Sequence, residues 1–303
     1  MRILLLVGLF IAAPIFVLAQ DYSKVEIKAT KVNGNVYMLE GAGGNIGVSV
    51  GPDGILIVDD QFAPLAEKIK AALNKLGEGN LKFILNTHWH GDHTGGNASF
   101  GRDAPIIAHD NVRKRLSTEQ YLAFFKEKVP ASPKEAWPVI TFDQSLSVHF
   151  NGEEIKVIHF PHGHTDGDSI IFFTTSNVIH MGDDFFAGRF PFVDLDSGGS
   201  VQGLAKNIGE VIPKIPAGAK IIPGHGPISS VDDVKAYHRM LLETTAFIQK
   251  KINSRKSQAQ IKKEGLPAEW KSWGEGFIKP DQWIDLVYLS LTKKNMGGRS
   301  KAH

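Results

Sequence analysis

Lys82-Phe83-Ile84-Leu85-Asn86-Thr87-His88-Trp89-His90-Gly91-Asp92-His93 is the stretch from which the rest of the chain is read. Lys82 to Leu85 is a short apolar run with strand character. It leads directly into three imidazoles and one carboxylate within six residues, His88, His90, Asp92 and His93. Neutral imidazole and carboxylate are ligands that suit zinc, and also iron or manganese. The close spacing carries a mechanical consequence. A loop leaving a strand can aim His88 and His90 to one side and Asp92 and His93 to the other, so one loop serves two metal ions. Gly91 and the following Thr94-Gly95-Gly96 permit the tight turning this needs.

Working outward, the same pattern recurs. Ile155 to Phe160 reads as a strand ending in Pro161-His162-Gly163-His164, Val178 to Met181 as one ending in Gly182-Asp183-Asp184, and Lys220 to Pro223 as one ending in Gly224-His225-Gly226. Four apolar strands thus end in His or Asp clusters beside glycine. Loops at one edge of a sheet can converge on a shared crevice. Asn45 to Val50 and Ile55 to Val58 flank Gly51-Pro52-Asp53-Gly54 and predict a hairpin. Pro64 to Leu76 has helical spacing, with Leu65, Ile69, Leu73 and Leu76 on one stripe. Ser230 to Lys251 predicts a capped helix, Lys250 to Lys263 a solvated basic helical face, and Asp281 onward a further helix, with a frayed tail from Lys293.

These residues resemble the metallo-β-lactamase superfamily. The run from His88 to His93 is similar to its HxHxDH signature, and His164, Asp183 and His225 fall in its later motif order. The resemblance covers roughly residues 25 to 230. It implies an α+β fold, a four-layer αββα sandwich with the metals at one sheet edge, here with added C-terminal helices. It also implies that His88, His90 and His164 hold a first metal, that Asp92, His93 and His225 hold a second, and that Asp183 bridges both. The implied enzyme is a dinuclear, zinc-type hydrolase in which a hydroxide shared by two Zn2+ ions attacks an ester- or amide-type bond. Asp92 orients that water and then carries a proton to the leaving group, which makes it the catalytic residue.

Composition narrows the setting. Lys plus Arg number 34 and Asp plus Glu 32, so the net charge of +2 makes no case for nucleic acid as a partner. A small-molecule substrate is expected. Arg2 followed by an apolar run from Ile3 to Leu18, with Val17-Leu18-Ala19 at its end, reads as a signal peptide over residues 1–19. Cleavage would leave Gln20 first, with no stable membrane insertion and a periplasmic or secreted location. The expected catalytic domain spans 20–230 and a C-terminal helical extension 231–303. Trp270, Trp273 and Trp283 of that extension either cap the site or pair subunits. The chain has no cysteine, which removes disulfides and thiolate ligands.

Substrate class is read from weaker signals. One β-lactamase subclass uses a Cys ligand, and another has Ser near the position of Asp183. A bridging Asp is more similar to the thioesterase, lactonase and phosphodiesterase branches. Acyl-homoserine lactonases place Tyr where Phe186 stands. Export favours cyclic amide or ester hydrolysis, hence a β-lactamase-like activity. Lactonase, thioesterase or phosphoesterase activity is the alternative on the same fold, and a di-iron redox protein the alternative of another class. Phe185, Phe186, Arg189, Phe190 and Phe192 are candidates for a pocket with one cation for an anionic substrate. Asp59, Asp60, Asp166, Asp168 and Asp184 are candidates to orient a ligand imidazole, as is His162. His109, His149, His159, His180, His238 and His303 are read as ordinary core or surface histidines.

Overall fold

The computed structural model describes residues 21–297. The expected signal peptide and His303 lie outside the described residues. The chain opens with four antiparallel strands, β1 (Lys28–Asn33), β2 (Val36–Glu40), β3 (Ile46–Gly51) and β4 (Gly54–Val58). Helix α1 (Ala66–Leu76) then crosses to β5 (Leu81–Leu85), parallel to β4. One-turn helices α2 (Gly91–Thr94) and α3 (Asn97–Phe100) lead to β6 (Ile106–His109) and α4 (Asp110–Leu116). A small hairpin, β7 (Gln120–Leu122) and β8 (Glu127–Val129), precedes β9 (Ile140–Phe142). The first sheet has the order β1-β2-β3-β4-β5-β6-β9. The second holds β10 (Ser145–Phe150), β11 (Glu153–His159), β12 (Ser169–Phe173), β13 (Val178–His180) and β14 (Lys220–Ile222), in that order.

Three apolar clusters divide the molecule into four layers. Val36, Met38, Leu56, Val58 and Leu85 of the first sheet pack on Ile155, Val157, Ile171, Val178 and Ile222 of the second. Alternation along each strand sends the neighbours Leu39, Ile46, Val48, Ile55 and Ile57 to the outer face, where α1 covers them with Leu65, Ile69 and Leu73. The outer face of the second sheet is covered by α5 (Val201–Val211), α6 (Val231–Asn253), α7 (Gln258–Glu264) and α8 (Pro280–Gly297). This is an α+β fold of sandwiched sheets with C-terminal helices.

The helix starts follow local chemistry. Ser230 caps α6, and Asp233 returns the bond to the Ser230 N–H, a reciprocal capping box. The basic segment expected as one solvated face is instead broken at Asn253 and restarts at Gln258 behind the cap of Ser257. Ile261 is fully buried there, while Lys251 and Lys256 pair with Glu264 and Lys262 with Asp285. The backbone of α8 stays helical to Gly297, past the Lys293 expected to begin a frayed tail. The boundary drawn at residue 230 crosses one continuous cluster. Trp283 stacks on Phe190 at 5.4 Å and donates its indole N–H to Thr244 Oγ1 at 3.0 Å. Among the described residues, no helix is long and apolar enough to cross a membrane.

Candidate metal centre

Parallel pairing places the site. β4 and β5 are parallel neighbours, so Asp59 and the His88–His93 loop leave the first sheet side by side. β13 and β14 are parallel neighbours in the second sheet, so Asp183 and His225 leave together in turn. The seven residues singled out in the sequence all lie at this shared edge. His88, His90, His164 and Asp183 form one group, and Asp92, His93 and His225 another, with one donor atom from each residue within 4.8 Å of the others in its group. Asp92 and His93 lie on the one-turn α2, and His88 and His90 precede it, so one stretch of chain feeds both groups.

Asp183 lies between the groups. Its Oδ2 is 3.5 Å from His164 Nε2 and 3.8 Å from His88 Nε2. Its Oδ1 is 3.0 Å from His93 Nε2 and 3.4 Å from His225 Nε2. Asp92 Oδ2 completes the second group, 3.2 Å from His225 Nε2.

Hydrogen bonds behind the imidazoles decide which nitrogen faces inward. His164 Nδ1 donates to Phe192 O at 2.8 Å, and His93 Nδ1 to Asp59 Oδ2 at 2.7 Å. Thr87 Oγ1 donates to Asp59 Oδ2 at 2.7 Å and so accepts from His88 Nδ1 at 3.0 Å. His164 and His88 therefore present bare Nε2 atoms, and His93 points its Nε2 at Asp183 Oδ1. His90 is reversed. Its Nε2 donates to Asp194 Oδ2 at 3.0 Å, which leaves Nδ1 facing His164 Nε2 at 2.8 Å.

Two acceptor nitrogens that close repel unless a cation lies between them. His88 Nε2 is buried without any hydrogen-bond partner, and His93 Nε2 and Asp183 Oδ1, 3.0 Å apart, face only each other and the neighbouring ligand atoms. Orphaned buried acceptors are costly, by roughly 1–3 kcal/mol each. A divalent cation would satisfy them together, so the residues present fit a metal.

Charge follows the same division. Burial, joined by repulsion from His93, pushes the His88 imidazole well below its ordinary value. Burial also outweighs Asp183 at His164, which lies at about 4. In the second group burial is outweighed instead. Asp183, Asp92 and Asp59 push His93 well above its ordinary value, and Asp183 with Asp92 raises His225 to about 9. Burial would raise the Asp194 carboxyl, but the hydrogen bonds from His90 and Ser197 hold it at about 2.

Glycines allow the close approach. A Cβ on Gly224 would sit 2.0 Å from Asp183 Oδ1, and one on Gly44 would sit 2.1 Å from the His93 ring. Asp59 has φ +65°, a left-handed conformation that Asp tolerates better than most residues. It also accepts from Thr87 N, which fixes the loop that follows β5.

Of the candidate orienting residues, Asp59 alone accepts from a ligand imidazole. Asp184 Oδ1 meets the backbone N–H of His164 at 3.4 Å. Asp168 is tied to Thr165, Asp166 to Arg115 and Asp60 to Gly96. His162 is exposed and bonds Gly198 O, so it does not orient a ligand. Asp194 was missed by the sequence reading. Its one local signal is an Asx-type turn, with Oδ1 accepting from Asp196 N and Ser197 N, and such turns are common. His180 was read as ordinary, yet it underlies the site: Nε2 donates to Asn45 O and Nδ1 accepts from Gly182 N.

A cleft of about 600 Å³ opens over the second group, with Asp92, Asp183 and His225 in its floor. Phe186, Arg189, Phe190 and Phe192 line it, as expected of a pocket. Phe185 does not. It is fully buried in the core, packed edge-on against Tyr237.

Two sheets with helices outside and a converging His/Asp cluster at one edge define the class of fold, one built around a candidate metal centre. Residues 29–225 match the family described as the metallo-beta-lactamase superfamily, and the chain belongs to it. It is 27% identical over 197 residues to "Beta-lactamase-like protein 2 homolog" of Caenorhabditis elegans, covering 62% of this chain and 59% of that protein's length. It is 28% identical over 185 residues to "Probable metallo-hydrolase YqgX" of Bacillus subtilis (strain 168), covering 58% of this chain and 85% of that protein. Among solved structures, the DIM-1 metallo-beta-lactamase superposes with a TM-score of 0.58 at 19% identity, over 73% of this chain and 99% of that one. A double mutant of the sec-alkyl sulfatase PisA1 superposes with a TM-score of 0.64 at 16% identity, over 87% of this chain and 50% of that one. These structural likenesses describe the fold.

Proposed function

We propose that this metallo-hydrolase holds two divalent ions, zinc in the first instance, and cleaves an ester- or amide-type bond of a small molecule in a β-lactamase-like reaction. The observation that carries the proposal is Asp183, whose two oxygens face two different sets of imidazoles. His88, His90 and His164 would hold one ion, Asp92, His93 and His225 the other, and Asp183 would serve both. Bound there, divalent ions supply Lewis acidity to the scissile carbonyl or phosphoryl group and to water.

The chain's own residues do the rest. Asp59, Asp194 and Phe192 O hold the imidazoles in one tautomer, so the ligand set is preorganised. Asp92 borders the cleft with its side chain 27% exposed, and so can pass a proton to a leaving group. Phe186, Phe192 and Trp89 line the cleft around them with apolar surface. The bridging carboxylate at Asp183 supports a second reading, hydrolysis of a lactone, thioester or phosphoester. The names of the relatives support hydrolysis in general.

A metal-controlled screen tests this. A chromogenic cephalosporin, a lactone, a thioester and a phosphodiester are offered to purified protein with chelator and with zinc restored. Zinc-dependent turnover of the cephalosporin supports the first reading, and zinc-dependent turnover of another class alone supports the second. Visible absorption from iron without zinc-dependent turnover would replace both with redox chemistry. Export is proposed on the leader-like residues 1–19, and the N-terminal mass of the exported protein tests it. An intact Met1 would refute it.

A further inference from the structure

The cleft has a wall that the shared domain does not supply. Phe277 and Ile278 line it, and both lie beyond the 29–225 match to the superfamily. Beside them, Gly276 packs against the stem of Arg189, where a Cβ would come within 3.1 Å of Arg189 Cβ and 3.2 Å of Cδ. Phe190 N donates to Trp273 O at 2.9 Å, which ties the same C-terminal segment to the strand-end loop that follows Asp183.

The β7–β8 hairpin stands opposite. Its tip carries Phe125, whose ring lies 5.0 Å from Phe192 and 5.9 Å from Phe277. Two anchors hold it over the metal centre. Arg115 donates to Gln120 Oε1 at its base, and Asp196 Oδ2 accepts from Ala123 N near its tip.

These rings are not spent on the core. Phe277 is 68% exposed and Phe125 38% exposed, both at the mouth of a cleft that ends on the metal ligands. Solvated aromatic surface at the mouth of a site favours a ligand that covers it. Arg189 adds a charge. Among the described residues its guanidinium has no hydrogen bond and no ion pair, although it lies in the cleft wall. Glu127 also borders the cleft, but from the exposed hairpin, where solvent screens it. The remaining carboxylates there, Asp92 and Asp183, belong to the metal groups.

We propose that segment 276–278 and the β7–β8 hairpin form an aromatic clamp that selects an amphiphilic anion. Phe125, Phe192 and Phe277 hold its apolar body, and Arg189 holds its negative group. The proposal rests on the metallo-hydrolase reading for the use of this cleft as the substrate site, and it is independent of which bond is cleaved. It also gives the C-terminal segment a role: it determines specificity on a catalytic floor common to the superfamily.

Calorimetric binding to the full-length, zinc-loaded protein tests it, with octanoate, octanol, octyltrimethylammonium and acetate as probes. Octanoate is expected to bind at least about tenfold tighter than acetate and than octyltrimethylammonium. Phe277→Ser should weaken octanoate and octanol alike by about tenfold while leaving acetate unchanged. Phe125→Ser serves as a second, independent variant with the same expectation. Arg189→Ala should weaken octanoate by about tenfold and leave octanol unchanged. A carboxylate held by the metal ions alone would bind equally well to Arg189→Ala, and that result would overturn the proposal. So would acetate binding as tightly as octanoate, or folded Phe277→Ser and Phe125→Ser proteins that match the wild type. Because binding rather than turnover is read, a failed hydrolysis screen would sink the hydrolase reading and leave this result standing.

Discussion

The two groups of candidate metal ligands share one carboxylate but are built differently. In the first, His88, His90 and His164 are all buried, and each is held at its outward nitrogen, by Thr87, Asp194 and Phe192 O respectively. In the second, only His93 is held in this way, by Asp59. His225 instead stacks on Phe186 at 5.0 Å, and the side chains of His225 and Asp92 are 23% and 27% exposed. A dry set of anchored imidazoles suits an ion that stays. A set with one anchor and two partners at the cleft suits an ion that meets the substrate and exchanges more readily. One loop from His88 to His93 therefore serves two environments, and second-layer hydrogen bonds, more than ligand identity, separate them.

The largest expected effect comes from the residue that joins the groups. Asp183→Ala should lose most bound metal and at least roughly 10³-fold in hydrolysis. Metal content by elemental analysis and kcat/KM check this, and a variant with two ions and near-normal turnover would break the account. Next, Asp194→Ala should weaken the tighter ion by roughly 10–100-fold while leaving the weaker one nearly unchanged, as read by competitive chelator titration. An equal loss at both ions would erase the distinction between the groups. Phe186→Ala is expected to act in the opposite sense, weakening only the exchangeable ion, by a few-fold, since it removes packing against His225 and no ligand.

The smallest effect separates acid sensitivity of the fold from that of the ligands. His109 and His159 stack at 3.6 Å away from both groups, and burial with repulsion from His109 holds His159 at about 4, against 6.5 for a free imidazole. The unfolded chain thus takes up this proton first. The stability from a neutral His159 is complete above pH 6.5 and is lost as pH falls towards 4. His159→Phe should therefore show a shallower fall in urea midpoint between pH 6.5 and 4 than the wild type. Parallel curves would mean that the stacked pair does not contribute.

The candidate ligand residues were legible because they cluster in sequence beside strand ends and glycines. His88, His90, Asp92 and His93 share one loop, and His164, Asp183 and His225 each follow an apolar run. Strands such as β4, β5, β13 and β14 were legible for the same reason, since each is a short apolar run bounded by turn residues. Asp194 was not legible, because an aspartate in an aperiodic loop acquires its role only when the fold brings His90 to it across 104 positions. The β7–β8 hairpin was missed too. Gln120 to Val129 is mostly exposed, so it lacks the alternation that burial of one face imposes. Phe185 and Phe186 show the limit at single-residue scale, for adjacent aromatics face opposite ways, one into the core and one into the cleft.

Calorimetric titration of zinc into chelator-stripped protein, with hydrolysis assayed at each addition, tests the central claim most directly. The account predicts two ions per chain, one tighter than the other, with full turnover only when both are present. Saturation at one ion, or turnover that survives complete removal of metal, would contradict it.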